Sequence, residues 1–201
     1  MCKIKMCGLT REEDIEAVND IKPEFIGFVF AKKSKRYVTP ERASELKKLL
    51  DPSIRAVGVF VDPSLQEVYA LVSSRTIDMV QLHGNETEDF VQEVRDKCKC
   101  PVIRAFKVRS EEDVRTAEKS CADHILLDSG AGTGTVFDWK LLKNISRPCF
   151  LAGGLDPENV SEAANTLHPY CLDVSSGIES NGFKDKNKME AFAKAVRKEK
   201  K

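Results

Sequence analysis

Cys149-Phe150-Leu151-Ala152-Gly153-Gly154-Leu155-Asp156-Pro157-Glu158-Asn159-Val160 is the stretch from which the fold can be read. Four apolar residues suit a short buried strand, and two glycines suit a turn. Asp156-Pro157-Glu158 then carries the acidic and proline signals that open a helix. The unit has seven counterparts. Apolar runs begin near Lys3 (KIKMC), Phe25 (FIGFVF), Arg55 (RAVGVF), Met79 (MVQL), Pro101 (PVIRAF), His124 (HILLD) and Cys171 (CLDVSS). With Cys149 included, the steps between starts run from 22 to 30 residues, room for a strand, a loop, a helix and a return loop each time.

The stretches between the runs carry helix signals. Thr10 ahead of Arg11-Glu12-Glu13-Asp14 predicts an N-cap with an acidic first turn, and Thr39-Pro40-Glu41 predicts a helix with proline at its first position. Asp62-Pro63, Asn85-Glu86 and Ser110-Glu111 repeat the theme. Strands alternating with helices imply parallel pairing through right-handed crossovers. FIGFVF and HILL are apolar throughout, as strands covered on both faces are. The predicted fold class is therefore α/β, a (β/α)8 TIM barrel, with residues 1–201 forming one catalytic domain at the compact end of the barrel size range. The rival, an open doubly wound sheet, would be supported by a G-x-G-x-x-G after the first strand, and none is there. A leucine-rich solenoid has a similar period, but its repeat pattern is absent.

Composition narrows the partners. Lys plus Arg and Asp plus Glu each number 32, for a formal charge of zero, so a nucleic-acid partner is not expected. The closing Arg197-Lys198-Glu199-Lys200-Lys201 reads as the solvated end of a helix. No run approaches the ~18 apolar residues of a membrane span, and the N-terminus lacks a signal-like core. Seven cysteines are an odd number and too sparse for a secreted disulfide scaffold, which predicts free thiols in a reducing cytoplasm. Cys98-x-Cys100 has the wrong spacing for a zinc knuckle and precedes a strand, so no metal site is expected.

In such barrels function collects at the C-terminal strand ends and the loops after them. The first strand ends in Cys7-Gly8-Leu9-Thr10, and the second is followed by Lys32, Lys33, Lys35 and Arg36. The fourth ends in Gln81-Leu82-His83-Gly84, the sixth in Asp128, the seventh in Gly153-Gly154 and the eighth in Asp173-Val174-Ser175-Ser176-Gly177-Ile178-Glu179. Gly153, Gly154, Ser175, Ser176 and Gly177 suit a phosphate, because small residues let backbone N–H groups approach an anion and a short helix start adds a favourable dipole. Residues 128–136, with Gly130, Gly132 and Gly134, read as a lid and lack the G-K-[ST] ending of a nucleotide loop. Cys7 and Asp128 are the pair to weigh as base and acid. The alternatives are a buried thiol and a turn carboxylate. His83 is placed to contact a ligand, whereas His124 and His168 fall on the return side and read as structural.

KMCGLT at 5–10, SKRYV at 34–38, QLHG at 81–84, LLDSGAGTG at 126–134, FLAGGLDPENV at 150–160 and LDVSSGIES-NG-KD at 172–185 resemble the phosphoribosylanthranilate isomerase family. The resemblance runs from Lys3 to about Phe192, with mild departures at Met6 and Lys35. It implies an Amadori rearrangement of N-(5-phosphoribosyl)anthranilate in tryptophan biosynthesis, without a cofactor. By the resemblance Asp128 is the general acid, Cys7 the general base, and Arg36 the partner of the anthranilate carboxylate. The loops at Gly153-Gly154 and Ser175-Ser176-Gly177 hold the phosphate, and Gln81, His83 and Asp173 line the pocket. The expected partner is a small phosphoribosyl substrate, and the expected assembly a monomer or homodimer.

Ordinary acidities make the pair hard to run. With a thiol near pKa ~8.5 and an aspartate near ~3.9, thiolate and neutral acid coexist in only about 10⁻⁴ to 10⁻⁵ of molecules at pH 7. The site must therefore raise Asp128, lower Cys7, or do both. Two alternatives stay open. A phosphoribosyl-formimino isomerase of histidine synthesis would carry Asp after the first strand and a second phosphate loop. A non-catalytic phosphosugar-binding barrel would lack the acid or the base.

Overall fold

The computed structural model describes residues 2–128, 139–142 and 145–198. Eight parallel strands close on themselves in chain order: β1 (Lys3–Cys7), β2 (Phe25–Val29), β3 (Arg55–Phe60), β4 (Met79–Leu82), β5 (Val102–Lys107), β6 (His124–Asp128), β7 (Cys149–Ala152) and β8 (Cys171–Val174). β8 pairs back onto β1 with Lys5 opposite Asp173. The strands start where the apolar runs start, to within one residue.

Side chains alternate across the barrel wall. Phe25, Val57, Met79, Ile103, Leu126, Phe150 and Cys171 pack together inside. The residues between them, among them Ile4, Met6, Ile26 and Leu172, pack outward under the helices. Burial on both faces is why β2 reads as one unbroken apolar run. At the N-terminal end His124 stacks on Tyr170 with ring centroids 5.2 Å apart and meets Phe150 edge-on. That is the structural role expected for His124, and His168 caps a helix end in left-handed conformation.

The helices are α1 (Glu12–Ile21), α2 (Pro40–Leu49), α3 (Leu65–Ser73), α4 (Glu88–Cys98), α5 (Glu111–Glu118), α6 (Val160–Leu167) and α7 (Lys186–Arg197). Thr39 caps α2 by accepting from the Arg42 N–H, and Ser110 caps α5 by accepting from Asp113. The expected starts elsewhere fall early. Arg11, not Thr10, is the N-cap of α1, because the Asp14 carboxylate accepts from the Thr10 and Arg11 N–H groups. Ser64 and Thr87 cap α3 and α4. Asp62 instead spends its carboxylate on the Asn85 N–H, tying two loops together. After β6 the described residues hold only a 3₁₀ turn, Trp139–Leu142. After β8 the short helix is a three-residue 3₁₀ turn, Ser176–Ile178, followed by an antiparallel hairpin of β9 (Glu179–Ser180) and β10 (Phe183–Lys184). Among the described residues no helix is long and apolar enough to cross a membrane.

Phe150 is fully buried at the barrel centre, against Phe25 and Tyr170 at 5.5 Å between centroids. Phe150→Ala should therefore lower the free energy of unfolding by about 3–5 kcal/mol, read by urea denaturation.

Candidate active site

Alternation that packs the barrel also builds its mouth. Two residues on from the interior positions Lys5, Val57, Met79, Leu126 and Cys171 the strands present Cys7, Val59, Gln81, Asp128 and Asp173. Cys7 ends β1 and packs with Val29 and Val59. A Cβ on Gly27 would stand 2.6 Å from the Cys7 Sγ, so glycine is what lets β2 lie beside the thiol.

Lys5 lies one inward step below Cys7 and is fully buried. Its Nζ donates to Asp173 Oδ2 at 2.8 Å, and its charge acts on the Cys7 thiol. Burial works against the Lys5 charge, but Asp173 and Cys7 outweigh it and hold the ammonium above the usual lysine range. Burial likewise pushes the Cys7 thiol up, with Lys5 and Lys184 pulling down and Asp173 adding to the rise. The need to lower Cys7 is thus opposed by its own burial, which the two lysines reduce without overcoming. Asp173 is raised by burial against the pull of Lys5, and its Oδ1 is buried without a hydrogen-bond partner.

Across the mouth, Asp128 ends β6 with His83 Nε2 3.4 Å from its Oδ2. His83 Nδ1 lies 2.9 Å from Gln81 Nε2. With Gln81 donating, the imidazole carries its hydrogen on Nε2, facing Asp128. The glycine-rich lid reading falls on 129–136, including Gly130, Gly132 and Gly134, which lie outside the described residues.

Arg36 arches over Gly8, where a Cβ would meet the Arg36 Cδ at 2.4 Å; the positive φ of Gly8, 82°, excludes other residues as well. The Arg36 fork is already engaged: Nε and Nη2 donate to the two Glu179 oxygens at 2.6 and 2.9 Å. An incoming carboxylate must use the other edge of the guanidinium or displace Glu179. Glu179 also accepts from Lys184 Nζ at 2.6 Å, and Lys184 donates on to the Ser175 carbonyl. The Ser175 hydroxyl donates to the Cys7 carbonyl at 3.0 Å, so this side chain braces β1.

Gly153 and Gly154 turn the chain after β7 with φ of 96° and 65°. A Cβ on Gly177 would come within 2.0 Å of the Leu155 carbonyl oxygen. The loop after β8 thus rests on the loop after β7, bringing Gly153, Gly154, Ser176 and Gly177 into one cluster of small residues. Because a 3₁₀ turn of three residues replaces the short helix, an anion there would meet individual N–H groups and not a helix dipole. Among the described residues no group of three or more His, Cys, Asp or Glu side chains is arranged to hold a metal ion.

Sequence reading placed Lys5, Glu179 and Lys184 within motifs but gave none of them a role. Lys5 was accessible from the strand period, since residues two apart share a face. Glu179 lies 143 positions from Arg36, and only the closed barrel and its hairpin bring the two together.

A closed parallel barrel with ionisable side chains gathered at the C-terminal mouth is the frame of a TIM-barrel enzyme. The family model for N-(5′-phosphoribosyl)anthranilate (PRA) isomerase matches residues 4–195. The N-(5′-phosphoribosyl)anthranilate isomerase of Endomicrobium trichonymphae is 44% identical over 202 residues, covering 98% of this chain and 99% of its own. The crystal structure of phosphoribosyl anthranilate isomerase from Thermotoga maritima superposes with a TM-score of 0.91 at 35% identity, covering 98% of this chain and all of the other. A further crystal structure of such an isomerase, at TM-score 0.89, 35% identity and the same coverage, holds reduced 1-(o-carboxyphenylamino)-1-deoxyribulose 5-phosphate. The chain belongs to the N-(5′-phosphoribosyl)anthranilate isomerase family. It is an intramolecular oxidoreductase of the aldose–ketose type.

The Arg36–Glu179–Lys184 cluster has a measurable pH signature. Burial opposes the Glu179 charge, but Arg36 and Lys184 hold its carboxyl below the usual glutamate range. A depressed folded-state value means the stabilisation is present above the unfolded value, ~4.3, and is lost as pH falls through the folded one. Glu179→Gln should cost about 2–3 kcal/mol at pH 7, because the buried Lys184 loses its counter-charge. Urea unfolding should show that gap closing as pH drops below about 4.

Proposed function

We propose that the chain converts N-(5-phospho-β-D-ribosyl)anthranilate to 1-(2-carboxyphenylamino)-1-deoxy-D-ribulose 5-phosphate, a step of tryptophan biosynthesis in the cytoplasm. The observation that carries this reading is the meeting of a thiol, a carboxyl and an arginine at one barrel mouth, with the small-residue loops after β7 and β8 at its rim. The ligand named for the related crystal structure is a reduced form of that product.

Asp128 gives its proton to the furanose oxygen as the C1–O bond breaks and the nitrogen lone pair forms the C1=N iminium. The Cys7 thiolate then takes the C2 proton. The C–H electrons form C1=C2, and the C=N electrons return to nitrogen, giving an enolamine. Protonation at C1 and loss of the enol proton yield the ketone and restore both groups. The imine is itself the electron sink, so the sequence of steps draws on no cofactor.

The remaining residues bind. Arg36 pairs with the anthranilate carboxylate through its open edge. Gly153, Gly154, Ser176 and Gly177, with the Ser175 backbone, cradle the phosphate. Gln81 Oε1 is buried without a hydrogen-bond partner, as is Asp173 Oδ1. Both are acceptors matched to sugar hydroxyls. His83 holds Asp128 in place and is a second proton-bearing group beside it.

Loss of anthranilate-ester fluorescence measures turnover. Asp128→Asn should keep product-analogue affinity within a few-fold while losing most of kcat, since the amide cannot give up a proton. Normal turnover in that variant would mean that ring opening needs no acid there. Arg36→Met should raise KM, with Arg36→Lys recovering only part because an ammonium lacks the planar fork. An unchanged KM in both would remove Arg36 from the carboxylate site.

A further inference from the structure

Lys5 is a fully buried charged group that the mechanism above does not use. It lies among the aromatic and aliphatic side chains that fill the barrel, with no exposed surface. A buried ion pair is a poor device for stability: desolvating both charges offsets their attraction, and well-packed apolar residues of similar volume do as well or better. Lys5 and Asp173 are therefore not accounted for by the stability of the core alone. A functional account begins from what else the ammonium touches.

Lys5 and Cys7 stand two residues apart on β1 and share its inward face. Asp173 stands opposite Lys5 in the register of β1 and β8 and grips Nζ at 2.8 Å. The clamp holds the ammonium where its charge acts on the thiol. Asp173 is itself braced, because β8 continues into Ser175, whose hydroxyl bonds the Cys7 carbonyl.

Charge counting gives the same answer. The cations around the thiol are Lys5 from β1, Lys184 from β10 and Arg36 from the loop after β2; the anions are Asp173 from β8 and Glu179 from β9. Against the burial that disfavours a charge at Cys7, Lys5 and Lys184 are the groups that favour the thiolate, Lys5 the more strongly. Arg36 and Lys184 are committed to Glu179, and Lys184 also to the Ser175 carbonyl. Of the three cations, Lys5 is the one on the strand of Cys7 itself, two residues away on the same inward face.

We propose that Lys5 is a positioning residue for the reaction: clamped by Asp173 against Cys7, its ammonium stabilises the thiolate that removes the substrate's C2 proton. This rests on the reading of Cys7 as the base. Lys5 does not touch the reacting carbon and transfers no proton. Its contribution is a fixed positive charge in an interior where water cannot supply one.

Lys5→Met alone leaves Asp173 buried without its counter-charge, so the informative pair is Asp173→Asn against Lys5→Met/Asp173→Asn, both neutral at position 173. Iodoacetamide is reacted with each intact protein across pH, and alkylation at Cys7 is followed by peptide mass spectrometry. That resolves this thiol from the other six cysteines. The midpoint of Cys7 reactivity should lie at least about one pH unit higher in the double variant than in Asp173→Asn. A purely structural lysine would leave it unmoved, so equal midpoints overturn the proposal. The wild type, alkylated to completion at Cys7, separates the two readings. Surviving turnover overturns Cys7 as base and the role of Lys5 with it. Abolished turnover with equal midpoints overturns the role of Lys5 alone.

Discussion

The Lys5–Asp173 ion pair sits where the barrel closes. β1 and β8 are the first and last strands, and their pairing places Lys5 directly opposite Asp173. Because side chains alternate along a strand, a register that faces Lys5 inward also faces Cys7 inward, one step nearer the mouth. A slip of one residue would turn Lys5, Cys7 and Asp173 out beneath the helices and bring Ile4 and Met6 in. The closing register therefore fixes the thiol and its charged neighbours in one act.

The same period distributes the rest of the site. Gln81, Asp128 and Asp173 each stand on an inward position near the C-terminal end of a strand, so side chains far apart in sequence converge without a dedicated loop. Glycine adjusts the distances where a Cβ would not fit. Gly27 gives the thiol room, Gly8 gives Arg36 room, and Gly177 lets the last two loops touch. The barrel interior supplies low dielectric, which raises the cost of every unmatched charge. That is why the mouth is built from paired groups: Lys5 with Asp173, Arg36 and Lys184 with Glu179, and His83 with Asp128.

Strand positions were legible in the sequence because burial on both faces makes each strand an unbroken apolar run between turn signals. Helix starts were less so. Aspartate and threonine bond backbone N–H groups in loops as readily as at helix ends, and Asp62 and Thr10 serve loop geometry while Ser64 and Arg11 take the caps. The hairpin Glu179–Lys184 was missed because two-residue strands carry no periodicity. At the site, Cys7, Asp128, Arg36 and the glycine pair stood out by their place after strands and by family resemblance. The counter-ions did not. Glu179 matters through Arg36 and Lys184, and no local pattern announces a pairing made by chain closure. Lys5 is the exception, since a lysine two residues before a strand-end cysteine is visible to anyone counting by twos.

The account turns on the thiolate at Cys7, and the turnover number of Cys7→Ser tests it most directly. A hydroxyl in the same place is close in shape to the thiol but is a far weaker acid, so the base form is all but absent at neutral pH. The account predicts a fall in kcat of at least about 10²-fold with little change in KM. A Cys7→Ser enzyme that turns over at close to the wild-type rate would contradict it.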